Sequence, residues 1–514
     1  FSFRLAVDQG NPAIVYAATS KGLFRSADAG ASYVNVALPV SSDCAGVEAL
    51  GPCQFANFVT DVVVKQPGGS TSVACDPKGC PVLAAVGFRS GMLPYPDTAT
   101  KQSPGNGVYR SDTGEAGTFA MVGNYQITGV EPVGFTLKSR IGRVALGNAI
   151  GDAQNHDYVY AMVQDAGYLN GDIALLDFDA DIKDPTLPTG PVCSALALAD
   201  PTLVDTCTQL ASKVPSPTTF NGLFVSTDFG DTWLRMADDK EITYNETTSS
   251  SIAPVIAIGE GPGIQAWYNL WVRPDPTQQL AGAPTRVLFG LEEIWKNRLN
   301  VPQDGLAQAG PDDYHVIGTY FAGQTCLFLI GNAGLPSLPV CPTYPGLVHG
   351  TTTHPDQHDG IFIPDTKNGG VWLHVGSDGG SYKQYSSDPT TDDFANNKWS
   401  NGTNNDRYTL MVYGIAVAKD GTVYYGLQDN ASGKIEPDTH RSVRIYIGDG
   451  MWTAVDPDNS MNAYYSTPGL AVVATTDGGA TDTDVYPPNA VRGTPHFLSP
   501  FVLDPTDANH IVMA

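Results

Sequence analysis

Two stretches two hundred residues apart carry the same pattern. GLFRSADAGASY (22–33) and GLFVSTDFGDTW (222–233) each open on a Gly-started apolar strand and then place Ser, Asp, Gly and an aromatic at identical spacing. The residues are Ser26, Asp28, Gly30 and Tyr33 in one copy and Ser226, Asp228, Gly230 and Trp233 in the other. Weaker copies begin at 107 (GVYRSDTGEAGTF), 376 (GSDGGSYKQYSSD) and 474 (ATTDGGATD), the last with Asp482 in the aromatic position. The strand pair that leads into the pattern recurs too, near residues 140, 269, 360, 414 and 501. Each copy is a period-2 apolar run, a polar turn rich in Asp, Asn or Pro, and a second strand. Such a hairpin cannot bury both faces by itself.

Packing repeated sheets face to face around an axis solves that problem. The fold class expected is therefore all-β, a β-propeller of four-stranded antiparallel blades. Strand-pair starts fall near 5, 56, 140, 269, 358, 411 and 465, which gives seven blades. Eight is the alternative, because a further start lies near 500. Dividing 514 residues by seven gives about 73 per blade, above the roughly 40 to 50 of compact propeller repeats. Long loops must absorb the excess, and the cysteine-bearing segments 41–54, 191–208 and 324–343 are the expected insertions. Residues 1–514 are read as a single propeller domain. A start inside a repeat suggests a processed or truncated part of a larger chain.

Composition supports short strands joined by turns, with 55 Gly, 38 Pro and only 16% charged residues. No apolar run reaches the roughly 18 residues a transmembrane helix needs. With 28 basic against 53 acidic residues and a net charge of −25, the chain lacks the cations that neutralise phosphates, which excludes a nucleic-acid partner. The aspartate excess fits either tight turns or cation binding. Eight cysteines fall as neighbours: Cys44 and Cys53, Cys75 and Cys80, Cys193 and Cys207, Cys326 and Cys341. No CxxC or CxxCH spacing occurs, so four local disulfides are expected, and with them an exported, extracellular or cell-surface location.

Ser-x-Asp-x-Gly-x-Thr-Trp resembles the Asp-box, or BNR, repeat of sialidases, xyloglucan-active glycosidases and sortilin-type propellers. SRIGRVAL (139), IQAWYNLWVRPDP (264), HPDQHDGIFIPD (354), VGSDGGSY (375) and YYGLQDN (424) are similar to an order of motifs in secreted bacterial BNR-repeat proteins, called glycosyl-hydrolase-like or sortilin-like. The resemblance implies the fold more firmly than a reaction. Ala431 departs from that group, which usually has Gly after Gln-Asp-Asn.

Ser, Asp and Gly of the repeated turn have structural work: hydrogen bonds to turn backbone, positive φ and aromatic packing. Chemistry is sought elsewhere. His354, Asp356 and His358 alternate, so an extended strand would present all three on one face, as metal ligands or as acid and base. Asp177, Asp179 and Asp181 alternate in DFDADIKD, a calcium-like spacing without the Gly and Glu of an EF-hand. Glycoside hydrolysis needs two carboxyls about 5 to 10 Å apart. Asp378 and Asp429 are the candidate catalytic pair, whereas the adjacent Glu292 and Glu293 face opposite ways on a strand and cannot pair. Trp267, Tyr268 and Trp372 are candidate sugar- or partner-binding aromatics. Trp271 and Trp295 could stack in the same way, and at strand positions all five aromatics are more often inter-blade core. Arg140 and Arg143, three apart, are expected to pair with the abundant aspartates.

Together these features point to a secreted or cell-surface propeller acting as a non-catalytic binding or assembly module for a protein or polysaccharide. A glycoside hydrolase using paired aspartates, and a metal site at His354, Asp356 and His358, are the alternatives. No cofactor is required on this reading, with calcium or another divalent ion as an option.

Overall fold

The computed structural model describes residues 2–39, 58–70, 75–88, 105–169, 218–239, 242, 263, 265–297, 302–305, 314–319, 353–388, 391, 393–395, 398–401, 412–446, 448–469, 471–485, 498–504 and 507–513. Contacts divide the chain into two units: 1–377 with 382–401, and 378–381 with 402–514.

The first unit holds five four-stranded antiparallel sheets. Their first strands are Ser2–Val7 (sheet I), Val59–Val64 (sheet II), Ile141–Asn148 (sheet III), Trp271–Pro274 (sheet IV) and Gln357–Pro364 (sheet V). The first strand of each sheet packs against the first strand of the next, from I through V. The second unit holds sheet VI, opening at Val412–Val417, and sheet VII, opening at Thr453–Val455. A two-stranded hairpin, Phe501–Asp504 with Asp507–Met513, follows. This repetition of four-stranded sheets is a β-propeller architecture, seven such sheets among the described residues. Six expected starts coincide with first strands. The seventh does not: residue 465 lies in the second strand of sheet VII, Ala463–Thr467. A first strand of only three residues, TAV, was too short to announce itself by periodicity.

The second strand of sheet II is apolar throughout because both of its faces are covered. In VLAAV of sheet II, Val82, Ala84 and Val86 pack with Tyr16, Leu23 and Val36 of sheet I, while Leu83 and Ala85 pack with Val144, Leu146 and Phe224 of sheet III. Sheets III and IV share a core around Met162, Phe220, Phe289 and Trp295. Trp271 closes the next one, against Leu288, Phe362 and Leu373 of sheets IV and V. In the second unit the same rule joins Tyr424 of sheet VI to Val455 and Ala463 of sheet VII. Trp271 and Trp295 are thus core residues and not stacking platforms.

The aspartate excess goes into turns. Asp8 accepts from the N–H groups of Gly10 and Asn11, Asp275 from Thr277, Asp365 from Lys367 and Asn368, and Asp456 from Asp458, each closing the first hairpin of its sheet. Between third and fourth strands the repeated turn does the same. Ser26 Oγ donates to Asp28 at 2.6 Å and accepts from Gly30 N at 2.9 Å, and Asp28 accepts from Ser32 N at 2.8 Å. Ser226, Asp228, Gly230 and Thr232 repeat those bonds at 2.8, 2.7 and 2.8 Å. Thr475, Asp477, Gly479 and Thr481 form them again in sheet VII. These hydrogen bonds pull the Asp28 and Asp477 carboxyls down to about 2. Trp233 is fully buried and donates to Gly230 O, whereas Tyr33 is exposed. The copy at 376 is different: Asp378 lies between the second and third strands, Val371–Ser377 and Gly380–Ser386, so it is not a third-to-fourth-strand turn.

Cys75 and Cys80 form a disulfide. Cys44, Cys53, Cys193, Cys207, Cys326 and Cys341 lie outside the described residues, as do Asp177, Asp179 and Asp181. Among the described residues, no helix is long and apolar enough to cross a membrane.

Candidate functional site

The third residue of every first strand in the first unit is charged: Arg4, Asp61, Arg143, Arg273 and Asp359 in sheets I to V. Strand registers explain how these side chains are aimed. In sheets I, II and V the pairing skips a residue just before the charge, at Phe3, Thr60 and His358, and in sheet III Gly142 and Arg143 together stand opposite Gln164. Such bulges bend a strand and redirect its side chains. All five charged residues, with His358, line one pocket of about 300 Å³.

Pairing within the pocket is uneven. Arg4 Nε lies 3.3 Å from Asp61, which also accepts from Val62 N and Leu146 N, both at 2.7 Å. Arg273 is paired with Asp359 and donates to Leu146 O at 3.1 Å. Arg143 has no ion pair among the described residues. Its Nη2 reaches only Leu270 O, at 3.5 Å, and its Nε is buried without a hydrogen-bond partner. Burial pushes the Arg143 guanidinium down to about 10, against the pull of Asp61 and Asp359, which leaves it charged at neutral pH. Arg273 is likewise lowered to about 10 by burial and then by Arg4. Arg143 therefore departs from the expected aspartate pairing, and Arg140 does not: its Nε sits 2.7 Å from the buried Asp165.

A second polar cluster lies in the first unit, at the hairpin between the second and third strands of sheet IV. Glu292 Oε2 accepts from Gly263 N at 2.6 Å, and its Oε1 accepts from Gln265 N at 2.8 Å and Asn269 Nδ2 at 3.2 Å. Asn269 Nδ2 also reaches Asp356 Oδ1 at 3.2 Å. Burial, then the Asp356 charge, push the Glu292 carboxyl up to about 7 against the backbone hydrogen bonds. Glu292 and Glu293 are both buried.

His354, Asp356 and His358 have different surroundings. Asp356 has φ of +63° and precedes the strand, so alternation fails at that residue. Its side chain turns toward Asn269, His358 packs edge-on against Tyr268 beside the arginine pocket, and His354 Nδ1 lies 3.1 Å from Pro355 O. Tyr268 is flanked by Trp267, with ring centroids 6.3 Å apart. Trp372 belongs to another surface, 4.6 Å from Tyr385 and under Lys383.

In the second unit, Asp378 and Asp429 come together with Asp449. Carboxylate oxygens of Asp378 and Asp429 lie within 4.8 Å, close enough to share a divalent ion or a proton. Gln428 Nε2 donates to Asp378 Oδ2 at 2.9 Å, Tyr413 OH donates to Gln428 Oε1, and Asp429 N donates to Asp449 Oδ1 at 2.9 Å. Desolvation, followed by the two neighbouring aspartates, raises the Asp429 carboxyl well above the usual range. Asp429 and Ala431 both have positive φ, 53° and 76°, so the turn holds an alanine where glycine would be unstrained.

Sequence reasoning found Asp378, Asp429 and His358 but missed Arg4, Asp61, Arg273, Asp359, Asn269 and Asp449. The signal for the pocket was the recurring charge at the third position of first strands, visible only once the strands are aligned on their starts.

No family model and no curated protein matches the chain. Among solved structures it is similar to an ancestral GH74 enzyme, at 13% identity and a TM-score of 0.40, over 100% of this chain and 68% of that one. The GH74 xyloglucanase from Xanthomonas campestris is 13% identical with a TM-score of 0.25, over 99% and 68% of the two chains. YCF48 from Cyanidioschyzon merolae is 10% identical with a TM-score of 0.29, over 98% and 89%. Likenesses this distant assign this chain no activity and no ligand.

Proposed function

We propose that this chain is an exported β-propeller that binds its ligand without transforming it. One observation carries the reading: the polar pocket of the first unit holds two carboxylates, Asp61 and Asp359, and both are tied to arginines. A general acid or base must be free to exchange a proton with substrate. Ion-paired carboxylates organise cations instead, and Arg143, the remaining charged residue of the pocket beside His358, donates hydrogen bonds and does no proton transfer near neutral pH. The Cys75–Cys80 disulfide supports export to an oxidising compartment, and a polysaccharide or protein is the partner class proposed. Incubation with a panel of neutral and acidic polysaccharides tests the reading: retention on at least one, with no new reducing ends, is expected.

A second reading rests on Asp378 and Asp429. Two close carboxyls, one raised toward its protonated form, are what acid-assisted glycoside hydrolysis requires. Release of reducing ends that is lost in both Asp378→Asn and Asp429→Asn would replace the binding reading with this one. Divalent metal at the same carboxylates, or at His354, Asp356 and His358, is tested by elemental analysis of protein purified without chelator.

A further inference from the structure

We infer that the pocket of the first unit is a specific site for one oxyanion, a carboxylate carried on a small polar body such as a uronic acid, and that Arg143 is the residue that recognises it. This deepens the binding reading above and rests on it.

Arg4, Arg143 and Arg273 bring three positive charges, and Asp61 and Asp359 bring two negative ones. Two arginines are neutralised by their partners, which leaves one charge unmatched. Chance does not favour this in a protein with 28 basic and 53 acidic residues. Arg143 is partly open to the pocket and feels the charges of Asp61 and Asp359, but neither acid is its ion-pair partner, and a guanidinium N–H buried without an acceptor is costly. Here Arg143 Nε is buried with no partner, and Nη2 has only a long contact to a carbonyl. A bound anion supplies what is missing.

Geometry narrows the ligand. A guanidinium fork matches two oxygens of a carboxylate in a plane, a match that a lysine cannot reproduce. The pocket's volume of about 300 Å³ lies at the lower end for ligand sites and admits one small ring or a short acid rather than a folded peptide. Its walls are polar on the arginine side, and His358 and Asp359 at the sheet V wall offer hydrogen-bonding groups to hydroxyls. Arg4 and Arg273, held by Asp61 and Asp359, frame the site and keep a second anion from being favoured.

The carboxylate can come from a free small acid or from a uronic-acid unit of a polymer, and calorimetric titration separates the two. Sodium glucuronate, sodium acetate, glucose and a galacturonic acid trimer are titrated into the full chain and into R143M and R143K. Glucuronate is expected to bind and glucose not to. A trimer that binds more tightly than glucuronate marks the polymer as the source, and equal or weaker binding marks the free acid. R143M should weaken glucuronate at least about tenfold, the loss of one charge-assisted hydrogen bond, and R143K should also weaken it although the charge remains. Thermal melts without ligand show whether each variant is folded. The inference is overturned if wild type binds neither glucuronate nor acetate at about 10 mM, a concentration at which even a contact worth only some 3 kcal/mol would register. It is equally overturned if folded R143M binds as wild type does. Hydrolysis of a polymer would end the preceding reading without touching this result, and absence of binding by both glucuronate and acetate would end this one alone.

Discussion

The arginine pocket of the first unit and the aspartate turn of the second are built from the same repeated scaffold and reach opposite electrostatic ends. In the pocket, charges of both signs sit on first strands, and pairing leaves one cation over. In the turn, Asp378, Asp429 and Asp449 lie together, and burial, followed by the neighbouring aspartates, raises the Asp429 carboxyl toward its protonated form. Within the pocket the position in the repeat is shared, so what decides the chemistry there is whether the neighbouring sheet supplies a partner.

The charge balance of the pocket is upset most by losing Asp61. Replacing it with alanine removes the partner of Arg4 and two backbone hydrogen bonds, and leaves the pocket with two uncompensated cations. A loss of about 3–5 kcal/mol is expected in urea unfolding of the first unit, from two buried N–H groups left without an acceptor and a partly exposed Arg4 left without its partner. A loss below about 1 kcal/mol would mean the pocket is too well solvated for pairing to matter.

Glu292 gives the next largest effect, in pH dependence. Its carboxyl is raised from 4.5 to about 7, so between those values the folded state holds the proton more often than the unfolded state. The stability it contributes is full below about 4.5 and is lost as pH rises through about 7, a change of about 3 kcal/mol for a shift of this size. Melting curves from pH 4 to 8 should show that decline in wild type and a flatter profile in Glu292→Gln.

In the second unit, Asp378→Asn removes a negative neighbour from Asp429, whose carboxyl should fall back toward the ordinary range. Infrared or NMR titration reads it directly, and an unmoved Asp429 would assign the shift to burial alone. The smallest effect belongs to Ala431→Gly, which relieves a φ of 76° and should stabilise by about 1 kcal/mol without altering that titration.

Much of the fold was legible in the chain. Ser26 to Tyr33 and Ser226 to Trp233 announced the repeat because their hydrogen bonds are local in sequence, and local chemistry leaves a spacing that can be read. The site was less legible. Asp378 and Asp429 stood out as acids beside turn residues, but Asp449 did not, because its bond to Asp429 N joins residues twenty apart in sequence. His354, Asp356 and His358 looked like one face only under ideal alternation, which the positive φ of Asp356 breaks. Arg143 carried the plainest misreading. In an acidic chain a nearby aspartate was the natural expectation, yet Asp61 and Asp359, the acids that share its pocket, are already held by arginines from other sheets.

The most direct test of that uneven pairing is the melting temperature of Arg143→Met in buffer free of organic acids. If Arg143 is an unmatched cation awaiting an anion, a methionine of similar length removes a desolvation cost and the variant melts at or above the wild-type temperature, as buried charges replaced by apolar residues often do. A melting temperature several degrees lower would contradict the account, since it would mean that Arg143 already has its partner within the protein.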